Sequence, residues 1–215
     1  MKDIILFDLD GTITDPKVGI TKSVQYALAH FDIHIQDPDE LCKFIGPPLR
    51  DSFSEFYGLS AEQSELATAK YRERFTTTGI YENEIYDGME ALLKHLKSSG
   101  KTLLLATSKP TVFADRVLKH FNIDKYFSFI SGSELNGERS DKFEVITYAL
   151  ENAGISDLNR CVMIGDRKFD IIGAKGVGMS SIGVLYGYGD KEELEAAVAD
   201  HLARDVTELG RLLHA

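Results

Sequence analysis

Ile4-Ile-Leu-Phe7-Asp8-Leu-Asp10-Gly11-Thr12-Ile-Thr14 is the stretch on which the reading of this chain turns. Its four leading apolar residues are too few for a buried helix and suit a strand buried on both faces. The run stops at a carboxylate. Side chains alternate along extended chain, so Asp8 and Asp10 point to the same side, and Gly11 frees the turn that follows. Two carboxylates held together repel unless a cation or a proton lies between them. Taken alone, the pair also reads as an N-cap for a following helix; the other strand ends decide between the two.

Four more short apolar runs, at 102–106, 127–130, 161–164 and 181–184, have the length and flanking residues of buried strands. Helical patterns separate them, at 88–98, 112–121, 143–153 and 171–175. Strands alternating with helices imply right-handed crossovers, and so an α/β fold with a doubly wound parallel sheet covered on both faces. Between the first two strands lie more than ninety residues without a strand pattern. From about Gly19 to Glu82 they read as helices instead, with Ile20, Val24, Ala27, Leu28 and Phe31 on one apolar stripe and Leu66, Ala69, Tyr71 and Phe75 on a later one. Gly46-Pro-Pro48 interrupts the pattern, and Gly58-Leu-Ser60 reads as a helix stop followed by an N-cap. An all-helical insertion within the α/β core is expected. Gly187-Tyr-Gly189 reads as a flexible turn, and 191–213 as an amphipathic helix with a short break.

With 215 residues, 43% hydrophobic and 27% charged, the chain can bury a sizeable core. A net charge of -10 argues against a protein that draws its affinity from a nucleic acid polymer or an anionic membrane surface. Small-molecule partners fit better, and an anionic one needs a metal ion or a few placed lysines. Cys42 and Cys161 read as reduced thiols, and neither a signal peptide nor a membrane span is expected, which together suggest a cytoplasmic protein. Oligomeric state is not legible.

In an open α/β sheet the ligand binds beyond the carboxyl ends of the strands. The second run is followed by Thr107-Ser108-Lys109, which offers hydroxyls, backbone donors and a positive charge, although the tripeptide alone is an ordinary loop. The fourth is followed by Gly165-Asp166-Arg-Lys-Phe-Asp170, two carboxylates one turn apart if a helix begins there. Lys142, ahead of the helix at 143–153, is a candidate counter-charge. A magnesium ion takes a few carboxylates and completes its shell with waters and substrate phosphate.

In order, spacing and strand context this set resembles the four motifs of the haloacid dehalogenase superfamily. The run from Asp8 to Thr14 resembles the first, Thr107 the second, Lys142 the third, and Gly165-Asp-x3-Asp170 the fourth. The similarity covers essentially the whole chain. It includes a helical cap after the first motif, as in phosphoglycolate phosphatase and 5'-nucleotidase-like members, and an ending marked by 183–189, Glu193-Leu194 and Glu208-Leu209. Lys142 is followed by Phe143-Glu144 where many relatives have proline; Lys109 and Arg139 are the other basic candidates.

The resemblance implies a Rossmann-like core of residues 1–14 and 85–215, with 15–84 as the cap. It implies Asp8 as nucleophile, Asp10 as general acid and base, and Thr107, Ser108 and Lys142 as phosphate-binding groups. Mg2+ would be held by Asp8, the Asp10 carbonyl and Asp166, with Asp170 an outer ligand or an orienting group. The implied reaction is hydrolysis of small phosphate monoesters, phosphoglycolate or nucleoside monophosphates among them, through an aspartyl-phosphate. A carboxylic acid at Asp10 suits an ester, whose leaving oxygen needs a proton, better than a halide. Three rivals remain: a phosphosugar mutase on the same core; a receiver-like phospho-acceptor module, which needs neither the insertion nor the paired carboxylates; and a binding protein that has lost activity, against which every motif position is filled by a suitable residue. In the insertion, Arg50 after Gly46-Pro-Pro48 is either a reader of a substrate anion or a solvated first-turn residue.

Overall fold

The computed structural model describes residues 2–213. A central sheet is built from β1 (Ile4–Phe7), β4 (Thr102–Pro110), β5 (Phe129–Ser133), β6 (Cys161–Gly165), β7 (Ser180–Val184) and β8 (His201–Ala203). Its order is β5-β4-β1-β6-β7-β8, and every neighbouring pair is parallel. The chain runs outward from β1 to β4 and β5, then returns to place β6 on the other side of β1. That reversal opens a crevice beyond the ends of β1 and β6, the usual ligand position in such sheets.

Alternation divides the strand residues between the two faces. Ile4, Leu6, Leu104, Ala106, Cys161 and Met163 form one buried cluster with Val145, Ile146, Ala149 and Leu150 of α6 (Lys142–Asn152) and Ala174 of α7 (Lys168–Val177). The alternate residues Ile5, Phe7, Leu103, Leu105, Val162 and Ile164 are also buried. Right-handed crossovers place α4 (Met89–Ser98) and α5 (Thr111–His120) over that second face. Burial on both sides explains the nearly continuous apolar runs.

Two differences from the sequence reading stand out. The tail is not one interrupted helix. It forms α8 (Lys191–Ala196), the edge strand β8 and α9 (Val206–Leu212). Three residues are too few to show a period, and only β7 pairing through Ile182 and His201 makes them a strand. The third run is also displaced, to Phe129–Ser133, because Ser131 and Ser133 hide their hydroxyls by donating to the carbonyls of Val145 and Ser108.

By contact the chain divides into two compact units, Met1–Asp15 with Ile85–Ala215, and Pro16–Glu84. Strands β2 (Thr14–Asp15) and β3 (Glu84–Ile85) mark where it passes from one to the other. The second unit contains α1 (Lys17–Ala29), α2 (Leu49–Tyr57), α3 (Ala61–Phe75) and short 3-10 turns. Gly58 ends α2 in the left-handed conformation, and Ser60 caps α3 through a reciprocal pair of hydrogen bonds with Gln63. On α1 the buried stripe is Ile20, Val24, Ala27 and Leu28. On α3 it is Ser64, Ala67, Thr68, Tyr71 and Phe75, and Leu66 and Ala69 are exposed. The stripe is rotated from the apolar reading because Ser64 and Thr68 satisfy their hydroxyls on the carbonyls of Leu59 and Ser64, which lets them face inward.

No helix among the described residues is long and apolar enough to cross a membrane. Neither cysteine is in a disulfide; Cys161 is buried at the start of β6, where burial pushes its thiol up to about 11, and Cys42 is partly exposed. Iodoacetamide at pH 8 is therefore expected to label the native chain once, at Cys42, and twice only after unfolding. Peptide mass mapping reads this directly, and rapid native labelling of Cys161 would contradict its burial.

Candidate active site

The site forms where β1 and β6 end side by side. Phe7 lies in register with Ile164, so the next residues are Asp8 and Gly165, and the Asp8 N–H donates to the Ile164 carbonyl at 2.9 Å. Asp166 follows Gly165, and Asp170 lies in the first turn of α7. Asp8, Asp166 and Asp170 bring carboxylate oxygens within 4.8 Å of one another, and all three are buried. At that separation and an effective dielectric near 20, two unit charges repel by roughly 3.5 kcal/mol.

Lys142 is the principal counter-charge. It enters at the first turn of α6, where the Asp141 carboxylate accepts from the Phe143 N–H at 2.8 Å. Its ammonium donates to Asp8 Oδ1 at 2.8 Å and to the Ala106 carbonyl at 3.0 Å, and lies 2.8 Å from Asp170 Oδ1 as an ion pair. Burial opposes the charged form, but Asp170 and Asp8 outweigh it and hold Lys142 above the ordinary lysine range. Its stem fits because residue 173 is glycine; a Cβ there would stand 2.9 Å from the Lys142 Cγ. The serine, threonine or aspartate that caps a helix is ordinary sequence, but the lysine following it here is only 5% exposed.

Burial raises the carboxyls of Asp166 and Asp170 above the usual range. For Asp166 the neighbouring Asp170 and Asp8 add to burial; for Asp170 burial outweighs Lys142 and the value reaches about 6. Asp166 has no ion-pair partner among the described residues. Its Oδ2 accepts from the Tyr188 N–H at 2.7 Å, and its Oδ1 is 3.4 Å from the Thr12 hydroxyl. A divalent cation fits this donor set, since three oxygens converge where two lysine-bound carboxylates meet one without a counter-charge.

Asp10 does not join that cluster through its carboxylate. Its Oδ2 pairs with Lys109 at 2.5 Å, and its Oδ1 is buried without a hydrogen-bond partner among the described residues. Thr107 is buried, with its hydroxyl accepting from the Lys109 N–H at 3.3 Å. Ser108 is half-buried, and its carbonyl accepts from Ser133. These residues lie on β4 itself, which runs to Pro110, and not in a loop after it. Arg139 is drawn elsewhere: it donates to the Gly132 carbonyl, pairs with Glu134 and stacks 3.7 Å over the Tyr148 ring. Arg50 belongs to the helical unit, where it lies in the first turn of α2 and pairs with Glu65 of α3.

Sequence reading missed the segment after β7. Gly187-Tyr-Gly189 is not a loose turn: a Cβ at Gly187 would stand 2.3 Å from the Asp166 Cβ, and one at Gly189 2.1 Å from the Asp166 carbonyl. The two glycines permit close approach of backbone to Asp166. Tyr186 donates to the Thr12 carbonyl at 3.1 Å, and the Tyr188 hydroxyl reaches Asp15. Beyond them Glu193 accepts from the Arg167 guanidinium and from the Lys168 N–H, each at 2.8 Å, fixing the backbone between Asp166 and Asp170. The spacing of the glycines was the available signal, and it points equally to a turn.

A family model described as haloacid dehalogenase-like hydrolase matches residues 5–184. The chain is 47% identical over 209 residues to a 5'-nucleotidase of Pseudomonas aeruginosa, covering 97% of this chain and 94% of that one. It is 37% identical over 187 residues to the tyrosine-protein kinase PtkA of Mycobacterium tuberculosis, covering 86% of this chain and 63% of that longer protein. The crystal structure of a predicted phosphatase from Clostridium acetobutylicum superimposes with a TM-score of 0.97 at 47% identity, covering 100% of this chain and 99% of that one. The chain belongs to the haloacid dehalogenase-like hydrolase family. Within it, the chain is a phosphatase, a hydrolase of phosphoric monoesters.

Two substitutions should move the stability of the protein, kept in EDTA, in opposite directions. Lys142→Met strands two buried carboxylates and should cost about 3–5 kcal/mol. Asp166→Asn keeps an acceptor for Tyr188 while removing a crowded charge, and should gain on the order of 1 kcal/mol. Urea unfolding measures both; a loss on Asp166→Asn would show that the cluster is not electrostatically strained.

Proposed function

We propose that this chain hydrolyses small phosphate monoesters, nucleoside monophosphates foremost, through an aspartyl-phosphate on Asp8 with Mg2+ as cofactor. The observation that supports this most is the convergence of Asp8, Asp166 and Asp170, the first and last of them paired with Lys142, with Asp10 held separately by Lys109. The choice among esters leans on the similarity to a 5'-nucleotidase.

Asp8 attacks phosphorus with a carboxylate oxygen as the ester bond breaks, so one difficult displacement becomes two easier ones. Asp10 gives its proton to the departing alkoxide, then takes one from the water that cleaves the acyl phosphate. Lys142 orients Asp8 and keeps positive charge beside the transferred group, with the Thr107 and Ser108 hydroxyls and backbone as further donors to its oxygens. Asp8, Asp166 and the Asp10 carbonyl would hold Mg2+, with Asp170 completing the carboxylate set. When bound, the ion offsets repulsion between the carboxylates and the phosphate dianion. The helical unit, Pro16–Glu84, acts as a cap that selects the ester, and Arg50 is its candidate reader of a second anion.

Asp8→Asn should leave less than about one per cent of wild-type turnover, a barrier increase of at least roughly 2.7 kcal/mol, with unchanged circular dichroism. Chelation should silence the enzyme and Mg2+ should restore it; turnover surviving exhaustive EDTA would remove the metal from the reaction.

Substrate choice can be read from nucleoside monophosphates, phosphoglycolate, hexose phosphates and p-nitrophenyl phosphate assayed on wild type and Arg50→Ala. The nucleotides should lead. Loss of Arg50 should lower kcat/KM for the best anionic substrate by about one to two decades, the scale of a charge-assisted hydrogen bond, and leave p-nitrophenyl phosphate little changed. Equal losses throughout would make Arg50 a support for α2 and α3 through Glu65. Accumulation of an isomerised sugar phosphate would replace the phosphatase reading with a mutase.

A further inference from the structure

Lys109 is the second buried lysine at the strand ends, and its placement is built rather than incidental. The pairing of β4 with β5 shifts register between Ala106 and Pro110, an irregularity of the kind that re-aims a side chain. Gly132 of β5 makes room for it: a Cβ there would stand 2.4 Å from the Lys109 carbonyl. Ser133 ties down the preceding residue by donating to the Ser108 carbonyl at 2.8 Å. The lysine so placed is 9% exposed and lies 2.5 Å from Asp10 Oδ2, while Asp10 Oδ1 is buried with no hydrogen-bond partner among the described residues.

We infer that Lys109 is a positioning residue for the acid and base Asp10, and not chiefly a ligand for the phosphate. It grips Oδ2 and so leaves Oδ1 as the oxygen that exchanges a proton with the leaving group. This rests on the role given to Asp10 above. In the first half-reaction the Asp8 oxygen bonds to phosphorus, the ester P–O bond breaks, and the proton on Asp10 Oδ1 passes to the departing oxygen. In the second, water bonds to phosphorus, its proton returns to Asp10 Oδ1, and the bond from phosphorus to Asp8 breaks. Lys109 exchanges no proton in either step. By fixing one carboxylate oxygen it restricts rotation about the Asp10 side chain and sets where the other one points.

A lysine acting on phosphoryl oxygens and one acting through Asp10 differ in their dependence on the leaving group. Benzyl phosphate and p-nitrophenyl phosphate are similar in size, but benzyl alkoxide needs a proton to leave and p-nitrophenolate does not. Lys109→Met should lower kcat/KM for benzyl phosphate about 10- to 100-fold more than for p-nitrophenyl phosphate, a share of the usual general-acid contribution. Lys109→Arg, which can still reach Asp10 with a cation, should recover most of that excess. In an Asp10→Asn background Lys109→Met should cause no further selective loss. Equal losses on both esters, or a selective loss that persists without the Asp10 carboxylate, would overturn the inference. If Lys109→Met does not fold by circular dichroism, Lys109→Gln carries the same comparison, and an unchanged ratio of the two esters overturns it equally. Turnover by Asp8→Asn would sink the proposed function itself; an inactive Asp8→Asn with uniform losses at Lys109 would sink only the role of Lys109.

Discussion

Repulsion among three buried carboxylates is the constraint around which the core of this protein is arranged. Asp8, Asp166 and Asp170 meet because β1 and β6 are parallel neighbours in register and α7 starts immediately after β6. Nothing in local structure favours such a meeting. It is maintained by the apolar cluster beneath it, where Leu6, Ala106 and Met163 of the strands lock against Val145 and Ala174 of α6 and α7. The same packing brings Lys142 to Asp8 and Asp170. A single helix register thus supplies both the seal over the sheet and the compensating charge.

Two lysines divide the four aspartates unequally. Among the described residues Lys142 takes Asp8 and Asp170, Lys109 takes Asp10, and Asp166 has a backbone N–H and a hydroxyl but no lysine or arginine partner. The protein therefore concentrates uncompensated negative charge at one carboxylate. Such a site is costly to fold and suited to a cation, a pattern expected where function and stability pull apart. Glycines make the crowding sterically feasible. Gly11 adopts a φ of +84°, and a Cβ on it would stand 2.2 Å from Asp166 Oδ2; one at Gly165 would stand 2.1 Å from the Asp170 Cγ. At these places the backbone itself forms the wall of the site, leaving no space for a side chain.

The helical unit follows ordinary rules by comparison. Its helices are delimited by a left-handed glycine and a capping box, and Phe44, Phe53, Phe56 and Tyr57 cluster within it. Under the proposed function the two units would divide the work, with chemistry at phosphorus on the strand ends and selection among esters on the helical surface.

The sequence by itself determined the α/β class, because runs of four to six apolar residues between helical periods have no other stable arrangement than a covered parallel sheet. It also located the carboxylates at the ends of the first and fourth runs, since strand alternation and helix periodicity are local properties. The capping residues Gly58 and Ser60 were legible for the same reason. Only tertiary structure decided what is long-range. Periodicity could not show that 201–203 pair with β7, that Ser64 and Thr68 face inward on α3, or that Gly187 and Gly189 press against Asp166. Nor could it assign partners to the lysines. Lys109 meets Asp10 across 99 residues and Lys142 meets Asp8 across 134, and those pairings follow from strand order and helix packing. Residue types state which charges are present; the fold alone decides which of them share a buried space.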